Sequence, residues 1–509
     1  MSPRARPNVL FITLDQWRAD CLGAAGHPLV QTPNIDRLAA EGVRFANHWS
    51  NCAPCGPSRA TMWTGRYQHN HRSVNNGTPL AAGRTNLALE ARDAGYDPVL
   101  FGYTDITVDP RTVADPDDPR LRTYEGILDG IRPVVHLPEH LEAWGEWLRG
   151  RGYDVGDDVP ASMYRQQTDI AGAAEHGSTW APTVYAAEDS EAAFLTEEVC
   201  RYIDEQSARD EPWFIHATYV RPHPPYLVAA PYHDMYAADE VSPANRRDRI
   251  EDEAALHPLL EAALQIDMVT APADEREMAQ LRATYLGMIS EVDAQLGRLF
   301  DHLDAAGLGE STMVVLTSDH GEQLGDHWLL EKLGFFDESY HVPLIVRWPA
   351  MVVAPGRVID EITEHVDLMP TILDAVGHTI PTACDGTSLL PFIEDVVPLR
   401  WRTEAHWEWD FRDPTSTVIE ESFGLHMAEC TLAVIRDRRG KYVHFAGLPP
   451  LFFDLEIDPG ETIDRVEDPL YEATVLDYAQ RLLTWRMITD DQELTGYLAT
   501  PSGMVSRRD

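Results

Sequence analysis

Asn8-Val-Leu-Phe-Ile-Thr-Leu-Asp-Gln16 decides the architecture. Its apolar residues follow one another without the in-out alternation of a half-solvated strand, so this segment reads as a strand covered on both faces. The same texture returns at 98–103, 213–219, 313–317 and 343–348, and all five runs read as buried parallel strands. Between them lie helical patterns. Residues 189–205 place Phe194, Leu195, Val199, Tyr202 and Ile203 on one face. A longer pattern, 277–306, carries Leu281, Tyr285, Met288, Ile289, Val292, Leu296, Leu299, Phe300 and Leu303 at i+3/i+4 spacing, with Gly307 placed to end it. Strands alternating with helices predict an α/β sheet covered on both faces.

Working outward, 509 residues exceed one small core and predict a large domain, 1–380, followed by a smaller one, 381–509. Beyond Pro381 the segments shorten, and 431–435 and 441–445 predict a small antiparallel sheet. Residues 109–182 are rich in Pro, Asp, Gly and Arg and read as an excursion over the surface, with a short helix near 141–148. Met-Ser-Pro-Arg-Ala-Arg-Pro leads at once into the first strand, which is too short for a signal h-region. No stretch approaches the roughly 20 apolar residues that span a bilayer, so a cytoplasmic enzyme is expected. The net charge of −42 argues against nucleic-acid and membrane partners, and an anionic substrate needs a local cationic pocket. Six scattered cysteines do not make a secreted disulfide framework.

Open α/β sheets bind ligands beyond the carboxyl ends of their strands. Four such ends carry reactive residue types: Asp15-Gln16, Gly102-Tyr-Thr-Asp105, Arg221-Pro-His-Pro-Pro225 and Ser318-Asp-His-Gly321. Asp15, Asp319 and His320 form a divalent-metal set, with hard carboxylate oxygens and an imidazole nitrogen that favours Mn or Zn over Ca. From residues alone, Asp319-His320 reads more often as a cap or structural turn, His223 equally as a loop cap, and Lys332 as an exposed cation. His216, inside a strand, reads as a buried structural histidine, and His27, His48, His69 and His71 carry no assignment. Cys52-x-x-Cys55 admits a redox dithiol, but no second ligand pair follows to complete a structural zinc site.

Cys55-Gly-Pro-Ser-Arg59 resembles the sulfatases of the alkaline phosphatase superfamily, whose Cys-x-Pro-x-Arg cysteine is oxidised to formylglycine. Thr32-Pro-Asn-Ile-Asp-Arg-Leu-Ala-Ala-Glu-Gly42 and Thr64-Gly-Arg-Tyr67 extend the likeness, as do 363–373 and 455–459, read as structural landmarks. The resemblance implies an alkaline-phosphatase-like mixed, mostly parallel sheet and a C-terminal α+β subdomain. Sulfatases usually present Asp-Asp, Asp-Asn and Lys-x-His where this chain has Asp15-Gln16, Asp319-His320 and Tyr103-Thr104-Asp105. Gln16, Asn76 in Asn76-Gly-Thr-Pro-Leu80, Arg221-Pro-His-Pro-Pro225 and Gly325-Asp-His-Trp-Leu-Leu-Glu-Lys332 are instead similar to the phosphonate monoester hydrolase/phosphodiesterase branch. One departure is that members can carry a threonine near Asp105.

This branch implies hydrolysis of phosphonate monoesters and phosphodiesters, with sulfate esters as a side activity. It further implies formylglycine from Cys55, a maturation enzyme that makes it, and one divalent metal, Mn first with Ca or Zn as alternatives. A small anionic ester is the implied substrate. Asp15, Cys55, Asp319 and His320 would hold the metal; Arg59, His223 and Lys332 would join Cys55 in catalysis. Gln16, Asn76, Tyr103 and Asp105 would bind a singly charged substrate. The resemblance also implies a homotetramer, with 485–498 as a candidate arm. An arylsulfatase using the same machinery is the alternative, and a non-catalytic Cys52–Cys55 redox protein the remote one.

Overall fold

In a computed structural model that describes residues 6–506 apart from 208 and 210, the first strand sits where its apolar run requires. β1 (Asn8–Asp15) is buried along its whole length. Leu10, Ile12 and Leu14 enter one core, while Val9 and Phe11 point to the other face and enter a second. Each fully buried aliphatic or aromatic side chain of this kind contributes about 1.5–3 kcal/mol. The long helix Glu275–Ala305 lays Leu281, Tyr285, Ile289, Val292 and Leu296 onto the first core. The helix Cys55–Thr64 supplies Ala60, Met62 and Trp63 to the second, where Phe11 and Trp63 meet edge-to-face at 5.8 Å.

The remaining strands of the main sheet are β2 (Val43–Trp49), β3 (Pro98–Gly102), β4 (Arg132–His136), β5 (Phe214–Pro222), β6 (Thr312–Ser318), β7 (Leu344–Arg347) and β8 (Arg357–Glu364). Their order is β4-β3-β5-β1-β6-β7-β2-β8. β3, β5, β1 and β6 are mutually parallel, so the four reactive strand ends share one edge. This is the feature that builds a site.

Two expectations need correction. The 343–348 run is not parallel: β7 runs antiparallel to both β6 and β2. A continuous apolar run reports burial of two faces, which β7 has, and carries no information on direction. Nor does 109–182 stay on the surface. Leu128, Val135, Trp144, Leu148 and Val159 are buried, β4 forms the sheet edge, and the anticipated short helix is Glu142–Gly150. The anchors are spaced too irregularly between Pro, Asp and Gly to show a period.

β9 (Ala405–Asp410), β10 (Thr431–Arg436), β11 (Gly440–Phe445) and β12 (Leu451–Asp454) form the expected antiparallel sheet, in the order β12-β11-β10-β9. It is tied to the loop that leads into Cys55. Trp407 stacks on Trp49 at 5.4 Å, the Glu408 amide donates to the Asn51 carbonyl at 2.8 Å, and the Asn51 side-chain amide donates to the His406 carbonyl at 2.8 Å. The helix Glu472–Ile488 covers this sheet, and a hairpin of β13 (Tyr497–Thr500) and β14 (Gly503–Ser506) follows it. Trp485 is buried against His406, with rings 4.5 Å apart and 2° from parallel, so any free arm begins later than residue 485. Among the described residues, no helix is long and apolar enough to cross a membrane.

Candidate active site

Cys55 opens its helix directly after Pro54, which places its side chain at the carboxyl edge of the sheet. The Gly56 amide donates to Asn76 Oδ1 at 2.9 Å. A Cβ on Gly56 would lie 3.1 Å from both Asn76 Oδ1 and the Asp105 carbonyl, a tight approach to which those neighbours would have to yield. Gly102 plays a similar part at the end of β3: its φ is +108°, and a Cβ there would meet the Thr218 carbonyl at 2.5 Å.

Asp15, Cys55, Asp319 and His320 converge, with one ligand atom from each lying within 4.8 Å of the others. Cys55 Sγ is 3.1 Å from His320 Nε2 and 4.0 Å from Asp15 Oδ1. His320 Nδ1 lies 3.0 Å from the Gly321 carbonyl, which can only accept, so this nitrogen carries the proton and Nε2 presents its lone pair to the cluster. Burial lowers the His320 pKa and favours this neutral form. Two carboxylates, a thiol position and an oriented imidazole suit a divalent ion of the Mn or Zn type.

Arg59 is wholly buried beneath the cluster. Its Nη2 donates to Asp319 Oδ2 at 2.8 Å and Asp15 Oδ2 at 3.0 Å, and its Nε lies 3.4 Å from Asp105 Oδ2. The Tyr103 hydroxyl donates to Asp15 Oδ2 at 2.7 Å. Burial pushes the Asp15 carboxyl up, but His223, Arg59, His320 and Lys332 outweigh it and hold the pKa at about 2. Asp105 goes the other way: burial, aided by Asp15 and Asp319 against Arg59, pushes it up to about 7. Burial and the charge of Asp15 push the Cys55 thiol well above its ordinary range, which makes the unmodified thiol a poor nucleophile.

Lys332 faces the cluster from the opposite side. Its Nζ donates to Gln16 Oε1 at 2.8 Å and to His223 Nε2 at 3.0 Å, with Glu331 at 3.2 Å. His223 Nδ1 lies 2.9 Å from the Pro224 carbonyl and therefore holds the proton. Gln16 has φ +68° and its amide donates to Asp319 Oδ1 at 3.2 Å; its side-chain Nε2 donates to Glu322. Gln16 is thus spent on fixing Lys332 and Asp319 and does not line the open cavity. That cavity, about 240 Å³, is lined by Asp15, Cys55, Asn76, Tyr103, Asp105, His223 and Lys332 among others. Larger depressions, about 700 Å³ beside Arg481 and about 610 Å³ along the helix Glu472–Ile488, contain none of these residues.

A family model described as Sulfatase matches residues 7–378. The chain belongs to the sulfatase family of the alkaline phosphatase superfamily. A second model, N-sulphoglucosamine sulphohydrolase, C-terminal, matches residues 325–487. The multifunctional alkaline phosphatase superfamily protein PehA of Trinickia caryophylli is 42% identical over 99% of each chain. Among solved structures, the phosphonate monoester hydrolase of Agrobacterium radiobacter superposes with TM-score 0.94 at 44% identity, covering 99% of this chain and 100% of its own. The corresponding enzyme of Silicibacter pomeroyi gives 0.92 at 39% identity, over 99% of both.

In this sulfatase-family chain the landmarks at Tyr67 and at Glu364-His365 pack behind the helix Cys55–Thr64. His365 Nδ1 lies 3.2 Å from Ser58 Oγ, and Glu364 accepts from the Tyr67 hydroxyl at 2.6 Å. His216 is buried against Thr218, 2.8 Å away, as a structural residue. Cys52 and Cys55 are both free thiols, the first turned to Thr61 Oγ1 at 3.3 Å and the second to His320. Sequence reading missed Glu322, whose carboxylate accepts from Gln16 and from the Leu324 and Glu331 amides, and it missed the cavity wall around Tyr124 and Glu125. Only Glu322, three residues past Asp319, lay close enough to a reactive strand end to be found.

Proposed function

We propose that this chain hydrolyses phosphonate monoesters and phosphodiesters, with sulfate esters as a side activity, through a formylglycine hydrate made from Cys55 by a maturation enzyme. The observation that carries the reading is the convergence of Asp15, Cys55, Asp319 and His320, of which Asp15 and Cys55 line a cavity that also presents Lys332 and His223. The names of the two phosphonate monoester hydrolase relatives support the substrate class. Cys55 Sγ stands where an oxygen of the aldehyde hydrate would lie.

Asp15, Asp319, His320 and the converted Cys55 would hold one divalent ion, Mn first, which when bound supplies Lewis acidity to the nucleophile and to a substrate oxygen. The hydrate would supply the attacking oxygen, and His223 would pass a proton from Nε2 to the leaving-group oxygen as its P–O bond breaks, with Lys332 turned from Nε2 to the substrate. The second hydrate oxygen would supply a way to release the product without water having to attack the covalent adduct. Lys332 neutralises non-bridging oxygens. Arg59 serves as a positioning residue that fixes Asp15 and Asp319. Asn76, Tyr103 and Asp105 border the substrate, whereas Gln16 acts through Lys332.

The test is kcat/KM for an aryl phosphonate monoester and an aryl sulfate that share one leaving group. A large preference for the phosphonate supports the reading. A preference for the sulfate makes this an arylsulfatase with the same nucleophile. A homotetramer belongs to the same proposal, supported by exposed apolar residues Leu483, Met487, Ile488, Leu494 and Leu498 near the C-terminus.

A further inference from the structure

The cavity above Cys55 is electrically divided. One side carries Lys332 and His223, which suit an anion, yet its wall also carries Glu125, Glu139 and Asp105. A neutral aryl or alkyl substituent makes no use of three carboxylates, and an anionic one would be repelled. Glu125 is only 8% exposed; its carboxylate accepts the Glu139 amide, and among the described residues no Lys, Arg or His pairs with it. Asp105 is 5% exposed; Arg59 lies 3.4 Å from its Oδ2, but its Oδ1 has no hydrogen-bond partner although the residue lines the cavity. Buried carboxylates left this way cost free energy that a cation would return.

The aromatic lining matches. Tyr103, Tyr124 and Tyr164 border the same space. Two of these rings already hold guanidinium groups on one face, Arg59 over Tyr103 at 4.4 Å and Arg221 over Tyr164 at 4.5 Å. Tyrosine faces beside carboxylates are the surroundings that bind alkylammonium groups, quaternary ones included. The volume, about 240 Å³, admits a small substituent next to the phosphoryl group.

We propose that this wall is a subsite for an alkylammonium group, so that the favoured substrates are zwitterionic: phosphodiesters or phosphonate monoesters of amino alcohols. The proposal rests on the hydrolase reading of the cavity. The anionic phosphoryl group meets Lys332, and the ammonium group meets Glu125, Tyr124 and Asp105.

Two p-nitrophenyl phosphodiesters test it, one with choline as the second alcohol and one with 3,3-dimethylbutanol, which replaces the nitrogen by carbon at nearly equal size. With matured, metal-loaded protein the choline diester should be favoured at least about tenfold in kcat/KM. Glu125→Gln should remove most of that advantage and leave the rate on the dimethylbutyl diester unchanged. If that variant does not fold, Tyr124→Leu provides the same comparison. Equal kcat/KM for the two diesters in the wild type, or a preference for the neutral one, overturns the subsite while the hydrolase reading stands. No turnover of either diester or of an aryl phosphonate overturns both.

Discussion

Arg59→Met removes one guanidinium from among three buried carboxylates and leaves Asp15, Asp319 and Asp105 without the cation that now lies 3.0, 2.8 and 3.4 Å away. Replacing a whole buried ion pair by apolar groups is often neutral, but deleting one partner strands the other in a poor solvent at a cost of about 3–5 kcal/mol. Arg59 has three such partners, so the upper half of that range is expected for the metal-free protein. The carboxylates can relieve part of the cost by taking up protons, and Asp105, already pushed up to about 7, will do so first. A divalent ion would relieve much of the rest, because it restores positive charge among Asp15 and Asp319. Urea unfolding of metal-free wild type and variant, followed by circular dichroism, reads the loss; repeating it with saturating Mn reads the recovery. The variant should regain more stability from Mn than the wild type does. A metal-free variant as stable as the wild type would mean that the guanidinium contributes nothing to holding these carboxylates.

Lys332→Ala removes the ammonium that bridges Gln16 and His223; kcat/KM for an aryl phosphonate should fall by about 10²–10³, with the far-ultraviolet spectrum unchanged. Dialysis against a chelator should abolish turnover and added Mn restore it, and full activity in the chelated protein would remove the metal from the account. Glu291 is buried, and burial followed by the charge of Glu191 pushes its pKa from 4.5 to about 8. Between those values the folded state holds a proton that the unfolded state has lost, so this group's contribution to stability declines as pH rises from 4.5 to about 8. Glu291→Gln should therefore flatten that decline and raise the urea midpoint at pH 8 and above; an unchanged pH profile would contradict it.

What could be read beforehand was what burial writes into sequence. β1 and β6 are covered on both faces, and the polar residues that end their apolar runs, Asp15 and Asp319-His320, lie at the edge where α/β sheets bind ligands. The direction of β7 could not be read, because parallel and antiparallel strands bury side chains alike. Gln16 and Arg59 were legible as site residues but not in orientation. The left-handed turn at Gln16 sends its side chain to Glu322 and Lys332, and Arg59 sinks among carboxylates contributed by three different strand ends. Tyr124 and Glu125 lie in an aperiodic stretch and acquire meaning only when the fold brings them beside Cys55.

The central claim is that the nucleophile is made from Cys55. Peptide mass spectrometry of protein produced with its maturation enzyme, set against turnover of an aryl phosphonate by the same samples, tests it most directly. The expected result is a Cys55 peptide in which the thiol sulfur and two hydrogens are replaced by one oxygen, with activity that rises in proportion to the converted fraction. Full activity from protein whose Cys55 peptide carries an intact thiol would contradict it.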